Sequence, residues 1–481
     1  MLNLRCARIV LTICIWQLTA VPFLAAAAKS PQQTVAQNPS LCPGQLAAEI
    51  NAIVSRPQFR RQRWGILIRP LFSSQTLYSR DAEKYFVPAS NAKLLITAAA
   101  LHKLGADYRI RTSVYRDSLG VRVVGRGDPS LDPAQLQSLA RQLDGIRRIN
   151  QLIGDDSYFQ EAAINPSWEW SDVQAGYGTA VNSLIVNENA IAFTLFPQGV
   201  GEPLRVEWDD PVEGFGWRIE NNSRSVAATE PEFIAVGRDL RSRVLRVSGQ
   251  LRSGAPSEDA AVAVVDPANN FLQHFRRALA AEGIAVLRTS VTSNSQPPTR
   301  EIAAVESPPL SELLQEINQW SNNLYAEALL RVLGATNQRE KNSLKVVKLI
   351  LTELGVNPES YILTDAAGLS RHNLVTPEAL VQTLQLMARS PAAAEYRASL
   401  AVAGGREGSL RSRFRGTPAE GMLQGKTGLL SGVAALSGYL DVPGYDRLVF
   451  SIIINQSDLS GAQLRQAIDE IIVLLTRLRR C

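Results

Sequence analysis

The stretch "VPASNAKLLITAAALHKLG", residues 87–105, decides how the chain is read. Ser90 stands three residues before Lys93, at the head of an alanine-rich run. Leu94, Leu95, Ala98 and Leu101 recur there at helical intervals, and Gly105 closes the run. Positions i and i+3 share a helix face, so Ser90 Oγ and Lys93 Nζ can meet. A serine hydroxyl is a weak nucleophile and needs a proton acceptor. A lysine accepts a proton only if its pKa falls, by desolvation or through a second cation nearby. The apolar run supplies the first. Ser90 near the helix start also points its own N–H, and the positive end of the helix dipole, toward a developing anion. The same spacing equally describes a capping serine followed by a solvated lysine, so the partners must come from elsewhere in the chain.

Composition narrows the choice. The 481 residues exceed one compact core, so two or three domains are expected. Hydrophobic residues make up 45% and charged residues 20%, as in an ordinary globular protein. The net charge of +5 is a thin arginine excess rather than a basic stripe, which gives no support for nucleic-acid binding. The chain has eight lysines against 42 arginines, so a lysine motif stands out. Its three histidines, His102, His274 and His372, belong to no H-E-x-x-H, and there is no C-x-x-C, so neither a metal nor another cofactor is expected. A G-x-S-x-G elbow is also missing, which disfavours a histidine-based serine hydrolase and leaves lysine as the base.

The N-terminus reads as a processing signal. Arg5 and Arg8 precede an apolar run that ends in "AAAAKS", which predicts a signal peptide over residues 1–28 and export to the periplasm or cell envelope. The run is long enough to span a bilayer, so a retained anchor and peripheral membrane association stay open. Residues 29–42 are polar and read as a flexible leader. Cys6 and Cys14 leave with the signal; Cys42 and Cys481 remain, near opposite ends, either paired in an oxidising compartment or as free thiols.

"RWGILIRPLF" and "QTLYS" read as strands before the Ser90 helix. From about residue 106 to 300 short β-like runs alternate with turns, for example "VRVVGRGDPS", "PLRVEWDD" and "RVLRVSGQLR". Helices dominate from residue 308, and strand patterns return at "MLQGKTG", "VAALSGYLDV" and "RLVFSIIINQ". Two further motifs lie in this last part. "QWSNNLYAE" holds Ser321 and Asn323, and "LQGKTGLLSG" holds Lys426, Thr427 and Gly428 on a predicted strand. Ser-x-x-Lys, Ser-x-Asn and Lys-Thr-Gly, in this order, form the motif set of penicillin-interacting serine enzymes. Their division of labour follows from chemistry. Ser90 attacks a carbonyl carbon and Lys93 takes its proton. Ser321 and Asn323 pass the proton to the leaving amine and hold the peptide. Lys426 lowers the pKa of Lys93 and, with Thr427, binds a substrate carboxylate. Gly428 lets the strand approach the ligand closely. The N–H groups of Ser90 and Leu429 form the oxyanion site.

The chain resembles the class C low-molecular-mass penicillin-binding proteins, in their D-alanyl-D-alanine carboxypeptidase/endopeptidase branch. The spacing of 231 residues between Ser90 and Ser321 fits that branch, as do "GRGDPSL", "GDDSYF", "SNNLYAEALLR", "DAAGLSRHNLVTP" and "GREGSLRSRF". Two departures are visible: "DAAGLSR" where the family usually has "DGSGLSR", and Asn322 where the middle motif often has Asp. The resemblance implies an α/β fold, a β-lactamase/transpeptidase-like sandwich of an antiparallel sheet flanked by helices. It places catalytic parts over residues 43–110 and 298–481, and an inserted β-rich region of one or two subdomains over 111–297. It brings the termini together, which favours a Cys42–Cys481 bridge. It implies peptidoglycan stem peptides as substrates and β-lactam antibiotics as covalent inhibitors. "SWEWSDVQAGYGT" resembles the place where an acidic residue of the insertion reads the stem peptide's free amino group; this assigns Asp172, with Trp170 and Tyr177 as walls. Arg371 falls near the same pocket or forms an ion pair between domains. A β-lactamase, or a penicillin-binding scaffold with little turnover, would carry the same residue types.

Overall fold

Strand patterns from the two ends of the chain meet in one sheet. The computed structural model describes residues 40–117, 120–294 and 300–481. The predicted signal peptide and all but the last residues of the predicted leader lie outside them. In chain order the first part holds α1 (Pro43–Val54), β1 (Arg63–Pro70), β2 (Tyr78–Arg80) and α2 (Lys93–Leu104). The middle part holds β3 (Arg111–Asp117), β4 (Gly120–Val124), α3 (Pro133–Arg141), β5 (Arg148–Asp155), β6 (Ala190–Phe196) and β7 (Arg205–Trp208). It continues with β8 (Arg218–Val226), β9 (Phe233–Arg238), β10 (Val244–Arg252), β11 (Glu258–Ala263), α4 (Pro267–Ala281), β12 (Ala285–Thr292) and β13 (Arg300–Glu306). The last part holds α5 (Leu310–Asn318), α6 (Asn323–Thr336), α7 (Ser343–Leu354), β14 (Tyr361–Ile362), β15 (Leu374–Val375) and α8 (Pro377–Met387). It ends with α9 (Ala393–Ala398), β16 (Ala401–Val402), β17 (Leu423–Leu430), β18 (Val433–Leu440), β19 (Leu448–Asn455) and α10 (Gly461–Leu475).

The main sheet has the order β16-β17-β18-β19-β1-β2 and is antiparallel throughout. Its central strands β18 and β19 are buried at every position, which explains their largely apolar composition; the buried hydroxyls of Ser437 and Ser451 pair with each other at 2.9 Å. One face packs on α1 and α10 through Leu46, Ile50, Ile468 and Ile472. The other face packs on α2 and the helices around it. All residues of α2 from Lys93 to Leu101 are buried, and its alanines let neighbouring helices approach closely. The sandwich of antiparallel sheet and flanking helices is the fold class expected.

The insertion holds two cores. A five-stranded mixed sheet, order β12-β5-β4-β3-β13, is covered by α3 and α4. Two three-stranded sheets, β11-β6-β7 and β8-β10-β9, share the second core. The first core is α/β rather than purely β: parallel pairing of β4, β5 and β12 needs helical crossovers. The expected boundary at 297/298 shifts, because β13 pairs with β3 from Arg300↔Arg116 to Glu306↔Arg111. The chain therefore enters and leaves the insertion side by side, with Ser307 N donating to the Ile110 carbonyl at 2.8 Å. The end of the predicted leader is not flexible. Leu41 pairs with Leu478, and Cys42 is disulfide-bonded to Cys481, which clasps the two ends together.

Candidate active site

The serine of the opening stretch does not lie in α2 itself. It sits in a 3-10 turn over Ala89–Ala92, and Lys93 is the first α-helical residue. Ala89 holds a left-handed φ of +48° that turns the chain into this segment. Lys93 Nζ donates to Ser90 Oγ at 2.9 Å, to Asn323 Oδ1 at 2.7 Å and to the carbonyl of Ala367. An ammonium has three protons, and all three are used. Once one proton is lost, the Ser90 hydroxyl can turn and donate to the freed lone pair. Lys93 is fully buried, and this burial pulls its pKa down to about 7, against a partial pull upward from Asp365 and Glu327.

Those two carboxylates build the wall behind the lysine. Glu327 Oε1 accepts from the N–H groups of Ala366 (2.6 Å) and Ala367 (2.8 Å). Burial, with Asp365 nearby, raises its pKa to about 7. Asp365 accepts from Gly368 N (2.7 Å), Ser370 N (2.7 Å), Asn373 Nδ2 (2.5 Å) and Trp168 Nε1 (2.9 Å). Together they fix the loop 365–371 so that the Ala367 carbonyl faces Lys93.

The second motif enters from the start of α6. Ser321 has a φ of +65°, and Asn322 caps the helix through Tyr325 N. Lys426 Nζ donates to Ser321 Oγ at 2.8 Å and to the Thr427 carbonyl at 2.9 Å. Lys426 is also fully buried; burial, and then the charge of Lys93, hold its pKa well below the usual lysine range. Burial is the largest cause at both lysines, and two neighbouring ammonium groups disfavour one another's protonation. Asn322 Nδ2 donates to Glu188 of the insertion at 2.8 Å. Glu188 is the middle of three consecutive non-glycine residues with positive φ, Asn187 to Asn189.

The third motif lines the cleft on β17. This strand pairs with β16 only at Gln424 and Gly425, so Lys426 to Leu430 extend past that neighbour along one edge. Thr427 Oγ1 and Ser409 Oγ are 2.9 Å apart. A Cβ on Gly428 would stand 2.8 Å from the Pro88 carbonyl oxygen and 3.1 Å from Ala89 Cβ. The glycine therefore lets the strand touch the turn that carries Ser90.

A cleft of about 400 Å³ is lined by Ser90, Ser321, Asn323, Gly368, Leu369, Leu429, Leu430, Ser431 and Arg371, with Glu169, Asp172 and Tyr177 from the insertion. Tyr177 OH is 3.1 Å from Asp172 Oδ1, and burial raises the pKa of that aspartate. Arg371 Nε donates to Glu169 Oε1 at 2.7 Å and Nη1 to the Ser431 carbonyl at 3.0 Å, so it both lines the cleft and forms an ion pair with the insertion. Trp170 stands apart from the cleft lining and is 70% exposed; the tryptophan that reaches the catalytic region is the buried Trp168. His274 is 2.9 Å from Glu213 inside the insertion, and His102 and His372 are exposed outside the cleft lining.

Glu169, Glu327, Asp365, Gly368 and Ser409 carry no role in the sequence reading. Glu327 lies four residues after Asn323, on the same face of α6, and that spacing is the available signal. Asp365 and Gly368 lie in "DAAGLSR", and Ser409 in "GREGSL", both conspicuous strings without a chemical signature of their own.

A serine hydroxyl hydrogen-bonded to a buried lysine, with a second buried lysine across a serine, defines a serine enzyme of the penicillin-interacting class. The chain belongs to the D-Ala-D-Ala carboxypeptidase 3 (S13) family, whose model matches residues 46–478. It is 32% identical over 440 residues to a D-alanyl-D-alanine carboxypeptidase of an Actinomadura species, covering 85% of this chain and 81% of the relative. It is 28% identical over 461 residues to a penicillin-sensitive carboxypeptidase A of Dictyostelium discoideum, covering 86% and 87% of the two chains. The fold matches the crystal structure of penicillin binding protein 4 from Haemophilus influenzae with a TM-score of 0.74 at 22% identity, over 89% of this chain and 98% of that one.

Proposed function

We propose that this protein is a cell-envelope enzyme that hydrolyses D-Ala-D-Ala termini of peptidoglycan stem peptides through an acyl-enzyme on Ser90. The observation that carries this reading is the buried Lys93 ammonium shared by Ser90 Oγ, Asn323 Oδ1 and the Ala367 carbonyl. With Lys93 neutral, Ser90 Oγ loses its proton to Nζ and attacks the carbonyl of the penultimate D-alanine. The oxyanion rests between the N–H groups of Ser90 and Leu429. The proton held by Lys93 is then passed on through Ser321, which is hydrogen-bonded to Lys426, to the leaving nitrogen; the C–N bond breaks, D-alanine departs, and Lys93 is neutral again. Water then hydrolyses the ester by the reverse proton path.

Lys426, Thr427 and Ser409 meet the terminal carboxylate. Asp172, beside Tyr177 and Arg371, meets the free amino group of the stem peptide's third residue. The same acyl step serves an endopeptidase when the leaving amine belongs to a cross-linked neighbour. A β-lactam enters as a mimic and leaves a slowly hydrolysed ester on Ser90. Residues 1–28 act as the export signal in this reading.

The test is to incubate the protein, and its Ser90→Ala variant, with a fluorescent penicillin, a D-Ala-D-Ala peptide and cross-linked muropeptides. Serine-dependent label together with released D-alanine is expected. Label without release would instead make it a binding scaffold, and rapid penicillin turnover without release a β-lactamase.

A further inference from the structure

A second cavity, of about 520 Å³, opens beside the cleft and shares Arg371 and Ser431 with it. Its other walls include Arg63 at the start of β1, Tyr85, and the turns at Gly432 and Asp458. The direction of β17 shows which end of a substrate it faces. Lys426 and Thr427 mark the end where a terminal carboxylate sits, and Leu429 lies beside Ser90. Leu430, Ser431 and Gly432 continue toward the opposite end. Extended peptide advances ~3.3 Å per residue, so the chain upstream of the acylated D-alanine runs toward Arg371 and Ser431, the residues this cavity shares with the cleft.

Charge defines what the cavity takes. Arg371 is already engaged by Glu169 and the Ser431 carbonyl. The Arg63 guanidinium lies over the Phe86 ring, 4.7 Å from its centroid, and has no carboxylate partner among the described residues. Asp458 is the single acidic residue of the lining. An arginine stacked on an aromatic ring is held in place while its N–H fork stays open to a carboxylate.

Resting on the proposed function, we infer that this cavity is a subsite for an anionic residue of the acyl-donor peptide, upstream of the side chain read by Asp172, with Arg63 receiving its carboxylate. In a wall stem peptide the γ-linked glutamyl residue presents such a free α-carboxylate. Arg63 is a specificity residue here and takes no part in bond breaking.

The experiment compares kcat/KM for D-alanine release from pentapeptides bearing the free glutamyl α-carboxylate and from the same peptides with that group amidated. It is run on the wild type and on Arg63→Gln, with Arg63→Lys as the conservative variant. The acid-over-amide preference should fall about three- to tenfold in Arg63→Gln and be partly kept in Arg63→Lys. An equal loss on both peptides, or no change on either, would overturn the subsite. If the wild type releases no D-alanine from any peptide, the proposed function itself has failed, and the two failures are told apart.

Discussion

The backbone carbonyl of Tyr177 accepts a hydrogen bond from Asn323 Nδ2 at 2.9 Å, while Oδ1 of the same amide accepts from Lys93 at 2.7 Å. The insertion thereby fixes which way round this amide faces. An acceptor is needed toward the ammonium and a donor toward the carbonyl, and only one orientation provides both. The inserted region thus takes part in arranging the groups proposed to be catalytic as well as in lining the cleft.

Asn323→Asp tests this link. A carboxylate there would face the Tyr177 carbonyl without a donor and would stabilise the Lys93 ammonium. Acylation by penicillin should slow at neutral pH, with its acid limb displaced upward by ~1–3 pH units. Stopped-flow labelling across pH reads both effects; an unmoved profile would count against Lys93 as the base.

In the proposed mechanism the pKa of Lys93, lowered to about 7 by burial, sets the pH dependence of the wild type. The neutral amine is the active form, so the acylation rate should climb about tenfold per unit below that value and level off above it. A rate still climbing beyond pH 9 would point to an unperturbed lysine. For stability, the folded-state pKa lies below the ordinary 10.5, so the unfolded chain binds the extra proton between these values. This residue therefore costs stability most below about pH 7, and the cost fades as pH rises toward 10.5.

Gly368 has a φ of +79°, and a Cβ added there would lie 2.1 Å from the Ala89 carbonyl oxygen and 2.9 Å from Ser90 N. Gly368→Ala should push the nucleophile turn away from the Ala367 carbonyl. We expect penicillin acylation to drop by ~10²-fold or more, the scale of a lost oxyanion donor. Circular dichroism should retain the folded signal, since the clash is local.

Asn322→Asp would restore the common middle-motif residue but set a carboxylate against Glu188. The expected fall in kcat/KM is about two- to fivefold, the scale of an exposed charge contact. Adding Glu188→Gln should recover most of it. A single Asn322→Asp variant as active as the wild type would show that Glu188 does not select asparagine.

The Cys42–Cys481 bridge closes a sequence separation of 439 residues. Replacing both by serine should lower the unfolding midpoint, with a loss of ~2–5 kcal/mol in the usual range for native disulfides. Penicillin labelling at 25 °C should persist, because neither cysteine lines the cleft.

Read alone, the sequence determined the groups with chemistry of their own. Ser90, Lys93, Ser321, Asn323 and Lys426 were legible because hydroxyl, amine and amide side chains recur at fixed local spacings. The strands β18 and β19 were legible because strands buried on both faces are predominantly apolar. Tertiary structure decided the rest. Nothing in "DAAGLSR" shows that the Ala367 carbonyl faces Lys93, or that Asp365 and Glu327 hold it there. A main-chain oxygen has no residue identity, and a buried carboxylate acquires a role only from what folding sets beside it. The edge of the insertion at β13, the part taken by Trp168 rather than Trp170, and the contact that requires Gly428 likewise arise from segments far apart in the chain. Periodicity describes how a residue meets its near neighbours; which distant surface it meets is settled only when both cores close.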